Sequence, residues 1–423
     1  MVRSLLSFAA AAALIGQQVA AAPTSHAKDK RDWSNWCSSD KQEVRVSFAS
    51  MPPAERKAYT DAINCIHSKP SSLDNAQYPA AVNRYQDYAV VHVSRTSQVH
   101  LSGFFLTWHR YFLHLFEKDL RESCGYTGRF PYWDFAATAA GGLTNSPVFD
   151  GSEYSMSGNG VPNGTDPIAL GPNLVIPHGS GGGCITSGPF KDWVPTLGFI
   201  DPLFLISGQP LPPNTYAYNA SCIIRDLNQY VAQTYTTLDL VINTTHAPSA
   251  ADLEYDLNGI IGGSSLGIHS AGHFTVGGFM NSIHVSVQDP IWWALHTNID
   301  RVYTSWQAAN PEIAAELYGT MTANNAPPSD NVTLDTIEPD WGYFDSSAIP
   351  VKELIRDDDG FLPEDENEEA KQDAADEDDV DVDNTDDEEN GNDDIEWTSY
   401  LRSDTLATLK LAADDLTEQI PFQ

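Results

Sequence analysis

Twelve histidines are spread through the 423 residues, and their spacing is uneven. His92, His100 and His109 follow one another at gaps of eight and nine residues. His269 and His273 are four apart, which puts both on one helix face where they can hold the same ion. His296 follows 23 residues later. A single histidine on an apolar helix is ordinarily a core residue. Two of these, however, lie inside bulky apolar runs: Phe104 to Phe112 around His109, and Asp289 to Arg301 around His296. A buried imidazole with no polar partner is costly, and a metal ion supplies the partner. His-x-x-x-His also suits zinc, but His269-Ser270-Ala271-Gly272-His273 has no glutamate after its first histidine to serve as a base. Imidazoles without thiolate or carboxylate suit copper, and no Cys-x-x-Cys occurs. Two sets of three neutral histidines point to two copper ions. Together they can give O2 two electrons, which one Cu(I) cannot.

The segments that must carry these residues read as helices. Pro52 and Pro53 suit the first turn of a helix reaching Ser68, with Ser50 as its cap. Apolar residues recur at three- and four-residue steps over 80–95 and again over 105–122, where Gly125 supplies a stop. Residues 136–222 are rich in Gly, Pro, Ser and Asn and read as loop, anchored by aromatics and two cysteines. A helix near 225–243 and a short one near 250–257 precede a loop over Gly259 to Gly267. His269 to Phe274 reads as a helical turn or more, and Asp289 with Pro290 opens a last helix to about Ala308. No convincing strand exceeds four residues. The fold class expected is mainly α with long loops.

Charge and composition bound the rest. The chain has 58 acidic residues against 23 basic ones, a net of −35. Residues 357–396 alone carry 22 acids and one lysine, hence −21 of that total. Such a surface excludes nucleic acid and anionic membranes as electrostatic partners. That segment is too poor in apolar residues to fold and is expected to be disordered, whereas Trp397 to Phe422 has the composition of a short terminal helix. At the other end, Met-Val-Arg, an apolar run from Ser4 to Ile15 and Ala20-Ala21-Ala22 describe a secretory signal peptide over 1–22. The run is too short to span a membrane comfortably. Lys30-Arg31 would close a propeptide over 23–31. Four sequons, at Asn163, Asn219, Asn243 and Asn331, agree with a secreted glycoprotein. Of the five cysteines, Cys184 and Cys222 are expected to pair, and Cys37, Cys65 and Cys124 are left unassigned. The domain plan is then a folded region over 32–350 and an acidic extension over 351–423.

The stretches His92 to His100, Phe104 to Glu117, His269 to Gly278 and Asp289 to Arg301 resemble type 3 copper proteins of the tyrosinase and catechol oxidase family, in the fungal short-chain branch. Cys124-Gly125-Tyr126-Thr127-Gly128 and Pro131-Tyr132-Trp133-Asp134 are similar to the same branch. The resemblance implies a four-helix bundle around a dinuclear copper site, on helices near 80–95, 105–122, 261–274 and 290–308. It implies His92, His100 and His109 as ligands of copper A and His269, His273 and His296 as ligands of copper B, with His100 on a loop. Arg110 and Asp300 match supporting positions. Asp300, one turn past His296, would orient an imidazole or pair with an arginine; Arg110 fits a plain buried ion pair equally well.

The departures from the family pattern bear on the substrate. Gln98 stands where many relatives carry a cysteine cross-linked to the second copper A ligand, so the thioether is expected to be absent. Leu295 replaces a histidine, and Trp292 replaces a phenylalanine and would narrow the entrance. Ile283, at the gate position, is aliphatic and leaves access open. Ser270 replaces the asparagine of efficient tyrosinases, which acts with an upstream glutamate. Glu254 is the only glutamate nearby, at the wrong spacing. Phe274 offers an apolar wall. The expected activity is oxidation of o-diphenols to o-quinones with O2, with weaker monophenol hydroxylation. A full tyrosinase is the alternative, an oxygen carrier of the hemocyanin kind a further one, and a zinc hydrolase the least favoured. The acidic extension would be a solvated spacer or an intramolecular lid over the site.

Overall fold

The computed structural model describes residues 44–355 apart from 165, 172 and 261–264. The leader at 1–22, the segment 23–31, Cys37, the acidic run 357–396 and the terminal helix expected within 397–422 lie outside the described residues.

Helix α1, Pro53–Ser68, starts on two prolines. Their missing amides are ones a helix start would leave unpaired anyway, so no side-chain cap is used. Ser50 does not cap it; its hydroxyl donates to the Ser47 carbonyl at 2.8 Å. Helix α2, Arg84–Val99, begins later than the apolar spacing suggested. Asn83 caps it by accepting from the Gln86 amide, and that local bond sets the start. Helix α3, Phe105–Cys124, ends where Gly125 turns left-handed at φ 67°. Helix α4, Phe135–Gly141, is capped by Asp134 inside a stretch expected to be loop.

Only three two-stranded ribbons occur among the described residues, with no strand longer than four residues. The single helix expected over 225–243 is two, α5 (Gln229–Tyr235) and α6 (Leu238–Thr245). Asn228 caps the first and Thr237 the second, and the second cap breaks the run. Helices α7 (Ala250–Asn258), α8 (Ile268–Val276) and α9 (Ile291–Ala309) follow.

The bundle is built on α3 and α9. Helix α2 packs on α3, α1 packs on both α2 and α3, and α8 packs on α9. At its centre Phe116 lies flat on Trp293, with ring centroids 3.7 Å apart. Cys65–Cys124 ties α1 to the end of α3, and Cys184–Cys222 is the pair expected from sequence. Closing such loops stabilises the fold chiefly by restricting the unfolded chain. The folded region runs past 350. A short helix α10, Lys352–Ile355, buries Leu354 and Ile355 at the end of the described residues. The four sequon asparagines are all exposed. Among the described residues no helix is long and apolar enough to cross a membrane.

Candidate metal centre

Helices α2, α3, α8 and α9 bring six histidines to one place. His92 lies within α2, His100 is the extended residue that ends it, and His109 lies within α3. Their ring centroids are 4.9, 5.8 and 4.9 Å apart. His269 and His273 share a face of α8, and His296 comes from α9. Their rings are 4.7, 4.9 and 5.4 Å apart. The triads adjoin: His109 and His296 stack at 4.8 Å with planes 16° apart. Phe105 touches both sets, 4.9 Å from His109 and 4.9 Å from His269. All six imidazoles are buried.

Hydrogen bonds fix which ring nitrogen is free. Nδ1 of His92 donates to the His284 carbonyl at 2.9 Å, that of His100 to Thr96 at 3.2 Å, and that of His109 to Phe105 at 2.6 Å. Nδ1 of His273 donates to the Met280 carbonyl at 2.9 Å, and that of His269 to the Asn258 side-chain oxygen at 2.8 Å. A carbonyl only accepts, so these five rings carry their proton on Nδ1 and present a bare Nε2. His296 Nδ1 has no partner among the described residues.

The pKa shifts agree. Burial, joined by the neighbouring imidazoles, holds His92, His100, His269 and His296 well below the usual histidine range. Burial brings His109 to about 3 and His273 to about 4, with their backbone bonds pulling the other way.

The Nε2 atoms of His269, His273 and His296 converge within 3.0 to 3.4 Å of each other. Those of His92 and His109 are buried with no hydrogen-bond partner. Bare lone pairs aimed at one point repel each other unless a cation sits between them. Neutral imidazoles without carboxylate or thiolate suit copper, and each triad holds its candidate ligand atoms within 4.8 Å. The residues therefore fit a pair of copper ions, one per triad.

The other predicted site residues fall out differently. Ser270 is half-buried, and its hydroxyl donates to the Asn258 backbone carbonyl at 2.8 Å. Ile283 is half-buried next to His284. Phe274 joins a small apolar cluster with Leu170, Ile176 and Val231 and borders a cavity of about 390 Å³ shared with Phe199, Leu203 and Asn281. Trp292 does not narrow an entrance. It is fully buried, stacked on His296 at 3.9 Å and 5.3 Å from His92, because position 292 lies on the face of α9 that points inward. Asp300 does not touch an imidazole. It takes the arginine alternative, bonded to Arg110 at 2.6 Å and to Arg45 at 2.6 Å. Leu295 is buried over Gly272, where it fills the space between α8 and α9. Gln98 is exposed on the outer face of α2.

Sequence reasoning missed three contributors. Asn258 touches His269, and Glu254 lies one helical turn earlier and accepts from the Asn258 amide at 2.7 Å. Spacing along the chain had set Glu254 aside. The corner between α7 and α8 folds it back to within one side chain of a ligand. The signal available was the i,i+4 relation of Glu254 and Asn258. Arg45, the second partner of Asp300, left no signal, since it lies 255 residues away in sequence.

Comparison with known proteins agrees with this geometry. Residues 82–309 match the model of the common central domain of tyrosinase. Tyrosinase P of Aspergillus terreus is 37% identical over 324 residues, covering 75% of this chain and 89% of its own. The N-acetyl-6-hydroxytryptophan oxidase of Emericella nidulans is 35% identical over 317 residues, covering 71% and 86%. Among solved structures, a mutant polyphenol oxidase from Thermothelomyces thermophila superposes with a TM-score of 0.70 at 31% identity, covering 77% of this chain and 89% of that one.

Proposed function

Since the chain belongs to the tyrosinase family, we propose that it is a secreted dinuclear copper oxidase that prefers o-diphenols and turns them into o-quinones. Two catechols then reduce one O2 to two waters. The copper pair supplies the electron exchange with O2 and phenol; the protein supplies geometry and dryness. The six histidines stay neutral, and five of them orient through Nδ1. Phe105 and Trp292 pack against the ligand rings and keep water from them.

The observation that carries the catechol preference is the lack of a free base beside Ser270. A monophenol must be deprotonated before it is hydroxylated, whereas catechol hydroxyls are acidic enough without a strong base. The Ser270 hydroxyl is engaged with Asn258, which leaves it poorly placed to hold a water. Glu254 Oε2 is occupied by the Asn258 amide at 2.7 Å, so it is not a free base. The relative named as an N-acetyl-6-hydroxytryptophan oxidase supports phenols on larger ring systems as further substrates.

The test is oxygen uptake with a catechol and with its matching monophenol. The expected result is fast uptake with catechol and a lag or little uptake with the monophenol; equal rates without a lag would remove the preference. Secretion rests on the apolar leader and four sequons, and is checked by a glycosidase-sensitive mass shift of protein from culture medium. A lid role for the acidic extension predicts that cleavage within 357–394 raises catechol turnover; unchanged turnover leaves only a spacer.

A further inference from the structure

We infer that Asn258, held in place by Glu254, positions His269 for the second copper and sets how tightly that ion is held relative to the first. This rests on the copper reading of the two triads, not on the catechol preference. Four of the six rings are held by backbone carbonyls, and His296 Nδ1 has no partner among the described residues. His269 alone is held by a side chain, at 2.8 Å.

The two ends of an amide differ, and here each meets the group it needs. The oxygen faces the Nδ1–H of His269, and the Nδ2 donates to Glu254 Oε2 at 2.7 Å. A flipped amide would set donor against donor on one side and oxygen against oxygen on the other. Glu254 therefore fixes the sense of the amide. The amide in turn fixes the histidine tautomer, and the tautomer leaves Nε2 bare toward His273 and His296.

The backbone explains why Asn258 is the residue that reaches. The last turn of α7 lies against the residue before α8 so closely that a side chain at Gly267 would collide with the Leu257 carbonyl. Gly259 makes the turn at φ 67°, a conformation that favours glycine. Ser270 adds a bond to the Asn258 carbonyl. These contacts bring the end of α7 against the start of α8, where the Asn258 side chain meets His269. Such partners of ligating histidines typically change metal affinity by about 10–100-fold when removed.

The experiment is chelator competition on the full-length copper-loaded protein, counting coppers per chain without any phenol present. Asn258→Leu is expected to lower the affinity for one of the two coppers about 10–100-fold and to leave the other unchanged. Glu254→Leu is expected to cause a smaller loss at the same ion. The double variant Asn258→Asp with Glu254→Gln exchanges donor and acceptor between the two positions and still presents an oxygen to His269. It is expected to hold both coppers, which a purely structural role of Asn258 would not produce. Wild-type retention of both ions by Asn258→Leu overturns the inference, and so does a folded exchange variant that loses the second copper. If Asn258→Leu fails to fold, as read by circular dichroism, the exchange variant decides alone. Failure of the catechol preference would appear in oxygen uptake and leave these counts unchanged.

Discussion

The two triads are alike in ligand type and unlike in what holds them. His92, His100 and His109 each donate to a backbone carbonyl, so their orientation follows from the course of the chain. In the second triad one ring rests its Nδ1 on a carbonyl, one on the Asn258 amide, and one on no partner among the described residues. A backbone-held ring can be re-aimed only by moving the backbone. A side-chain-held ring can be re-aimed by a single substitution. The first site is thus fixed with the fold, and the second is the one that sequence change can adjust.

The strongest way to break this contrast is to remove a ligand from each side. His109→Ala and His296→Ala should each lose one copper per chain and lose more catechol turnover than the roughly 10–100-fold typical of an outer partner, as read by metal analysis and oxygen uptake. If the two triads differ only in how they are held, both losses are equally severe.

Next in size is Asp300→Ala. It leaves Arg45 and Arg110 buried without their shared carboxylate, a change that typically costs about 3–5 kcal/mol. Denaturant unfolding measures it. Because Asp300 touches no imidazole, copper affinity in the folded variant should stay within a few-fold of wild type at both sites. A selective loss of the second copper would mean that α9 transmits the change to His296.

Trp292→Phe probes the ring that leans on both sets. A smaller ring leaves a gap beside His296, costing about 1–3 kcal/mol in denaturant unfolding. Since His296 Nδ1 has no hydrogen-bond partner among the described residues, the second copper should become more labile to chelator than the first.

The smallest effect concerns pH and the helix of the first triad. Glu338 is buried, and burial pushes its carboxyl from 4.5 up to about 8, with the Thr107 hydroxyl pulling the other way. A raised carboxyl favours the folded state fully below about 4.5, and this contribution is lost as the pH climbs through 8. Glu338→Gln should therefore flatten the fall in stability between these values, as seen in melting temperature against pH. An unchanged slope would place the responsible group elsewhere.

How much of this was legible in the sequence follows from how local the cause is. The ligand histidines could be read because helical spacing and apolar surroundings are properties of short segments. Helix starts were less legible. Asn83, Asn228 and Thr237 cap through single side-chain bonds that apolar spacing does not register. Trp292 was misjudged because a replaced family residue says what differs but not which way it faces. Asn258 and Arg45 were missed because their partners arrive through tertiary folding, in one case from 255 residues away. The Cys184–Cys222 pair was found because both ends lie in one loop region; Cys65–Cys124 spans two helices and left no such cue.

Arg110 follows the copper ligand His109 directly, and it also donates to the Leu354 carbonyl at 3.1 Å while Gln307 donates to Ile355 at 2.7 Å. Leu354 and Ile355 are thereby fastened to α3 and α9, two of the helices that carry the ligand histidines. Any maturation step that trims the acidic segment consequently has an inner limit. A protease that stops beyond Ile355 leaves the fastening whole. One that cuts before Val351 removes it, and the damage would first be felt next to His109.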